Sequence, residues 1–141
     1  MSDSQDTRAE SDSLGAVDVP KSAYWGVHTL RALQNFPISH RPISIHPDLV
    51  DALVIVKQAA ARANRDIGVL EATKAEWIDA ACQSVRGGKF HDQFVVDVIQ
   101  GGAGTSTNMN TNEVVANIAL EQHGHEKGAY GILHPLDDVN R

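Results

Sequence analysis

The stretch from Asp97 to Leu120, DVIQGGAGTSTNMNTNEVVANIAL, constrains the fold of this chain more than any other. It opens apolar, breaks at Gly101, Gly102 and Gly104, and then runs through Thr105, Ser106, Thr107, Asn108, Asn110, Thr111 and Asn112. Val114, Val115, Ile118 and Ala119 follow at spacings that cover one face of a helix. The glycines let the backbone turn sharply and come close to a ligand. Ser, Thr and Asn are helix-start residues, and the first four N–H groups of a helix have no partner within it. Glycines, side-chain donors and a helix start together make a plausible anion site, which the helix dipole favours. The same residues also fit a well-capped helix after a turn, and pattern alone names no ligand.

The rest of the chain reads as one domain around that helix. Its 141 residues suffice for a single modest core, and 42% hydrophobic with 21% charged residues marks a folded chain. The net charge of −6 comes without a basic block, which argues against nucleic acid and anionic membranes as partners. No apolar run is long enough to span a bilayer and no signal peptide is evident, so a cytoplasmic protein is expected. Cys82 stands alone, which excludes an internal disulfide and a Cys-based zinc cluster.

Met1 to Thr7 are polar and expected to be a flexible terminus; the domain proper is expected over 8–141. Arg8 to Pro20 reads as a short extended or hairpin arm, with alternating Val17 and Val19 after Leu14-Gly15. A helix is expected from about Ser22 to Gln34, stopped by Pro37, with His28, Thr29 and Arg31 on its more polar surface. Pro47 and Asp48 start the clearest helix, which ends near Gly68 and carries Leu49, Leu53, Val56 and Ala60 as an apolar stripe. Thr73 and Glu76 have capping-box spacing at the start of the next helix. Its stripe is Ile78, Ala81, Cys82 and Val85, and Gly87-Gly88 stops it. Cys82 is thus a core residue, and His28 a local hydrogen-bonding group. His123 and His125 form a His-x-His pair with no third ligand at a convincing spacing, so no metal site is assigned. Asp137 and Asp138 are adjacent and read as a solvated or capping turn.

Two long motifs carry a family resemblance. GGAGTSTNMNTNEVVANIAL, with HDQFVVDVIQ leading into it from His91 to Gln100, closely resembles the corresponding segment of aspartate ammonia-lyases (aspartases) of the aspartase/fumarase superfamily. AYWGVHTLRALQNFPIS, from Ala23 to Ser39, resembles their N-terminal signature. The likeness covers nearly everything from about Arg8 to Arg141. Related fumarases share the core of the first motif, but their counterparts of GVHTLRA and HDQFVVDVIQ read differently. The resemblance implies a mainly α fold, a small helical N-terminal domain opened by a short β element. It also tilts Phe90 to Gln100, ambiguous by pattern, towards helix.

For activity, the resemblance implies reversible loss of ammonia from L-aspartate to give fumarate, with no organic cofactor. A base removes the proton beside the side-chain carboxylate, which then carries extra charge as an aci-carboxylate. Thr105 matches the threonine that holds the β-carboxylate, and Ser106, Thr107 and Asn108 match the residues that line or support the site. Gly101, Gly102 and Gly104 shape the turn. Asn112 and Glu113 are expected to cap or anchor the helix rather than touch ligand.

No residue here is assigned as catalytic. In the family, further carboxylate contacts come from a Ser-Gln-Ser-Thr-Asn-Asp type stretch after the counterpart of Val139-Asn140-Arg141. The base-bearing serine loop and the lysine that grips the α-carboxylate come later still. Active sites there are built from three subunits of a homotetramer. The chain is therefore expected to be an N-terminal domain truncated before the central helical bundle, and inactive alone. Two departures stand out: Ile118 replaces a common arginine, and Leu136 replaces the asparagine of a His-Pro-Asn-Asp turn. Because fumarases hold a second carboxylate near that turn, His134 and Asp137 are candidates for a second site. Two alternatives stay open: a class II fumarate hydratase fragment, or a non-catalytic dicarboxylate-binding or oligomerisation domain.

Overall fold

The computed structural model describes residues 6–141; the expected flexibility of Met1 to Gln5 lies outside the described residues. The chain opens with an antiparallel hairpin, β1 (Thr7–Asp12) and β2 (Gly15–Pro20), in which Thr7 already pairs with Pro20. Four helices follow: α1 (Val27–Asn35), α2 (Pro47–Asp66), α3 (Ala72–Arg86) and α4 (Thr105–Gln122). A single π turn at Pro135–Val139 completes the described chain. The fold is mainly α with a hairpin arm, as the sequence indicates.

At the centre lies α4. From Met109 to Leu120 it is buried on every side, not on the one face that its apolar spacing defines. The reason is a second stripe, Asn110, Glu113 and Asn117, at helical spacing and equally buried, whose side chains serve loop backbones. Asn110 accepts from the N–H of Val95 (2.9 Å) and donates to the carbonyl of Gln93 (3.0 Å). Asn117 donates to the carbonyl of Tyr24 (2.8 Å) and accepts from the N–H of Gly128 (2.7 Å). A polar stripe thus faces inwards because three irregular segments need partners there.

Four sequence expectations are corrected. The first helix begins at Val27 rather than near Ser22, because Tyr24 and Trp25 lie in an irregular lead-in whose carbonyls serve Asn117 and Arg8. Thr29 is fully buried, not on polar surface, and its hydroxyl donates to Glu113 at 2.6 Å. The Thr73–Glu76 capping box does not form: α3 starts at Ala72 with Glu71 as N-cap and without a side-chain cap. Phe90 to Gln100 is not a helix. Phe90 sits in the left-handed region (φ 63°), a short 3-10 turn spans His91–Gln93, and 94–98 run extended against 41–44. Val95, Val96 and Val98 suit that extended backbone.

The stripe read on α2 lies at the edge of the buried face: Leu53 packs half-buried against the core, but its ends are not buried. Val56 is 63% exposed and Leu49 40%, whereas Val50, Val54, Lys57, Gln58 and Ala61 are buried. The inner face is displaced by one residue, and it contains a lysine and a glutamine, which is why pattern reading passes over it. On α3, Ile78, Ala81, Cys82 and Val85 are buried as read. Burial pushes the Cys82 thiol up to about 12.

Candidate functional site

The two helix starts nearest the centre are treated in opposite ways. At α1 the N-terminus is closed by carboxylates from elsewhere in the chain. Glu113 of α4 accepts from the N–H groups of Gly26 (2.8 Å), His28 (2.8 Å) and Thr29 (3.1 Å), and Glu10 of β1 accepts from that of Val27 (2.8 Å). Burial pushes the Glu113 carboxyl up, against the four donors that favour its charged form. Arg8 steadies Glu10 at 2.8 Å, and the Tyr130 hydroxyl donates to Glu10 while accepting from Asn117. Glu113 therefore anchors as expected, but it caps α1 rather than its own helix. Gly26 makes this possible. A Cβ there would sit 2.6 Å from the Tyr130 hydroxyl oxygen and closer still to Glu10 Oε2.

At α4 the start is left open. Gly104, the N-cap, adopts φ 80° and supplies no side-chain cap. The backbone N–H groups of Thr105, Ser106 and Thr107 find no partner among the described residues, and neither do their hydroxyls as donors. The first internal bond there runs from the Asn108 N–H to the Gly104 carbonyl. Thr105 is exposed, and Ser106, Thr107 and Asn108 are half-buried. A helix start with free amides and a row of hydroxyls can accept an anion without donating a full proton to it.

The loop that delivers this start is held from behind. Gly102 (φ 69°) and Gly104 adopt the left-handed backbone, and Gly101 packs where a Cβ would meet the Phe36 ring at 2.6 Å. Asp97 clamps the approach, accepting from the Ser39 hydroxyl (2.6 Å) and from the N–H groups of Ser39, His40 and Ile99 (2.8 Å each). Burial alone would push its carboxyl up, but these donors hold it well below the usual carboxylate range.

Beneath the first turn lies a polar group that the sequence does not single out. Lys57 of α2 donates to Asn108 Oδ1 at 2.7 Å and to Asn140 Oδ1 at 3.1 Å. Asn108 Nδ2 donates to Asn140 Oδ1 at 2.9 Å, and Asn112 Nδ2 to the same oxygen at 3.2 Å. Asn112 therefore anchors α4 to the segment at Asn140, and Asn108 takes part in the same support from the first turn.

The candidate second site has different geometry. His134 Nδ1 accepts from the N–H groups of Leu136 (3.1 Å) and Asp137 (3.2 Å), so that nitrogen serves its own turn. Asp137 Oδ2 lies 3.6 Å away on a side chain that is 79% exposed. Asp138, by contrast, accepts from the His134 N–H and pairs with Lys74 at 2.9 Å. The His-x-His pair is absorbed by stacking: the His123 ring lies 4.2 Å from that of Trp77, with His125 tilted against the same indole.

The chain is similar to several known proteins. The sequence profile of a family described as Lyase matches residues 15–141. An aspartate ammonia-lyase of Pseudomonas aeruginosa is 58% identical over 140 residues, which are 99% of this chain and 30% of that protein. One from Corynebacterium glutamicum is 59% identical over 134 residues, 94% of this chain and 26% of that protein. Among solved structures, a fumarate lyase:delta crystallin from Brucella melitensis superposes with a TM-score of 0.93 at 53% identity, over 95% of this chain and 31% of that one. A class II fumarase from Schistosoma mansoni superposes with a TM-score of 0.84 at 34% identity, over 96% of this chain and 28% of that one. The chain thus spans less than a third of the length of these relatives.

Proposed function

The chain belongs to this lyase family, and from that premise we propose that it is the N-terminal part of an aspartate ammonia-lyase. The full protein would eliminate ammonia reversibly from L-aspartate to give fumarate. The observation that carries this reading is the open start of α4: three free backbone N–H groups, with the hydroxyls of Thr105, Ser106 and Thr107, on a helix whose neighbour is fully capped. Thr105, at the exposed tip, makes the first contact with the β-carboxylate; Ser106 lies beside it, and Thr107 and Asn108 line or support the site. Gly101, Gly102 and Gly104 give the loop its shape.

The chemistry fits the donors. Removing the proton next to the β-carboxylate leaves that group with two negative charges. Fixed neutral donors at a helix start stabilise the dianion more than the substrate, which lowers the barrier. The base, the α-carboxylate grip and the amine contacts come from residues beyond these 141, assembled in a cytoplasmic homotetramer. Among the described residues no helix is long and apolar enough to cross a membrane. Higher identity to the named ammonia-lyases than to the fumarase favours ammonia over water as the group eliminated. His134 and Asp137 remain a proposed second carboxylate site of lower rank, since Nδ1 of His134 is already used.

The test is a hybrid in which these 141 residues replace the aligned segment of the Pseudomonas aeruginosa relative. Fumarate formation from L-aspartate is expected, falling about a hundredfold for Thr105→Ala as one transition-state donor is lost. An active hybrid indifferent to Thr105→Ala would remove Thr105 from the site. The 141-residue chain alone is expected to form no fumarate and to bind succinate weakly. Tight binding without turnover in the hybrid would favour a non-catalytic dicarboxylate-binding role.

A further inference from the structure

Lys57 is placed where packing alone would select a hydrophobic side chain. It lies on the inner face of α2 between Val54 and Ala61, is 8% exposed, and has no carboxylate partner among the described residues. Burying an ammonium without a counter-ion is costly, and burial pushes this one below its usual range. What it gains is two amide oxygens, Asn108 Oδ1 (2.7 Å) and Asn140 Oδ1 (3.1 Å).

That pair of contacts has a structural consequence. A cation on Asn108 Oδ1 fixes which way the Asn108 amide points, so its Nδ2 is directed at Asn140 Oδ1. Asn140 is thereby joined to the first turn of α4, one turn from Gly104, and Asn112 reaches the same oxygen from the next turn. The following residue is held too: Asn64 donates to the Arg141 carbonyl at 2.8 Å, and Arg141 donates to the Val69 carbonyl at 2.7 Å. One buried charge therefore ties the helix start that presents the free donors to the segment at 139–141, and adds positive potential behind those donors.

Resting on the reading of α4 as a β-carboxylate cradle, we infer that Lys57 is a positioning residue for the lyase reaction: it acts through Asn108 and Asn140 to hold the open first turn of α4 in register with the segment at 139–141. It touches no substrate. Its work is to fix the donors before charge develops, when a displacement of a fraction of an ångström is already felt in rate.

The experiment uses the hybrid enzyme described above. Lys57→Met is expected to lower kcat/KM for L-aspartate about tenfold or more, chiefly through kcat, while unfolding stays cooperative. Asn108→Ala should cost a similar factor. The double variant should be little worse than either single one, because both substitutions break the same link. Lys57→Arg, which keeps the charge, should recover part of the loss; Lys57→Gln serves in place of Lys57→Met if the latter does not fold. Unchanged kcat and KM in Lys57→Met, or losses that multiply in the double variant, would overturn the inference. An inactive hybrid with Lys57 intact would instead overturn the reading of function. On the 141-residue chain, the side-chain carbonyl carbons of Asn108 and Asn140 should shift together on Lys57→Met in NMR spectra. Resonances that stay in place would show that the link is not made.

Discussion

Single residues here act through the backbone groups they satisfy. Glu113 closes four donors at the head of α1, so Glu113→Ala leaves those groups buried without an acceptor and opens a void. The expected loss is about 3 kcal/mol, measured as a lower urea midpoint. Gly26→Ala should disrupt the same centre by steric contact with Tyr130 and Glu10, whereas Gly15→Ala meets no atom within 4 Å and is opposed only by its φ of 115°. Cys82, with its thiol at about 12 and no exposed surface, is expected to resist labelling by a thiol reagent at pH 8 until the chain is unfolded. Rapid labelling of the native chain would show that α3 packs differently. Cys82 was legible in the sequence because its neighbours share a 3.6-residue period. Glu113 was legible only as an anchor, since nothing local says which helix it caps.

Elements differ in how far their own sequence governs them. The hairpin is locally specified, yet its outer end is held by Arg31 of α1, which donates to both oxygens of Asp12 at 2.7 and 2.8 Å. That hydrogen-bonded guanidinium holds the Asp12 carboxyl at about 2, below its ordinary 3.8. A lowered folded-state value means that the contribution is present above the unfolded value and fades as pH falls from about 4 towards 2. A pH titration of the Asp12 carboxyl resonance should show this midpoint, and Arg31→Ala should return it to the ordinary range. Residues 90–100 show the opposite case. Their helix expectation failed because Asn110, Asp97 and backbone groups of 41–44 supply partners to an extended backbone at 94–99. α4 itself was found by pattern, as a helix following the Gly101–Gly104 break, and it begins at Thr105. Its burial on all sides was not, because an Asn/Glu/Asn stripe looks solvent-facing until the loops it serves are in place.

At the scale of the whole molecule, the exposed apolar residues on and after α2 have the clearest consequence. Ile55 (44% exposed) and Val56 (63%) lie on one helix, and Ile67 (72%) and Val69 (46%) follow in the turn after it. Apolar surface of this kind favours association in water. The 141-residue chain is expected to self-associate with rising concentration, and Val56→Glu to reduce it without lowering the unfolding temperature by more than a few degrees. Sedimentation velocity on both chains is the check; a strictly monomeric parent would show that this face needs no cover.

The sequence by itself determined the mainly α class, the hairpin, the positions of α2, α3 and α4, and the glycine turn that leads to Thr105. Each of these is written in local periodicity, in helix-start and helix-stop residues, or in a motif long enough to resemble one family. Only the tertiary structure decided which face of α2 turns inwards, that Glu113 and Glu10 close α1 while α4 stays open, and that Lys57 lies beneath Asn108. The physical reason is the same in each case. A buried polar group is placed by the partner that satisfies it, and here the partners lie 17 to 87 residues away in the chain.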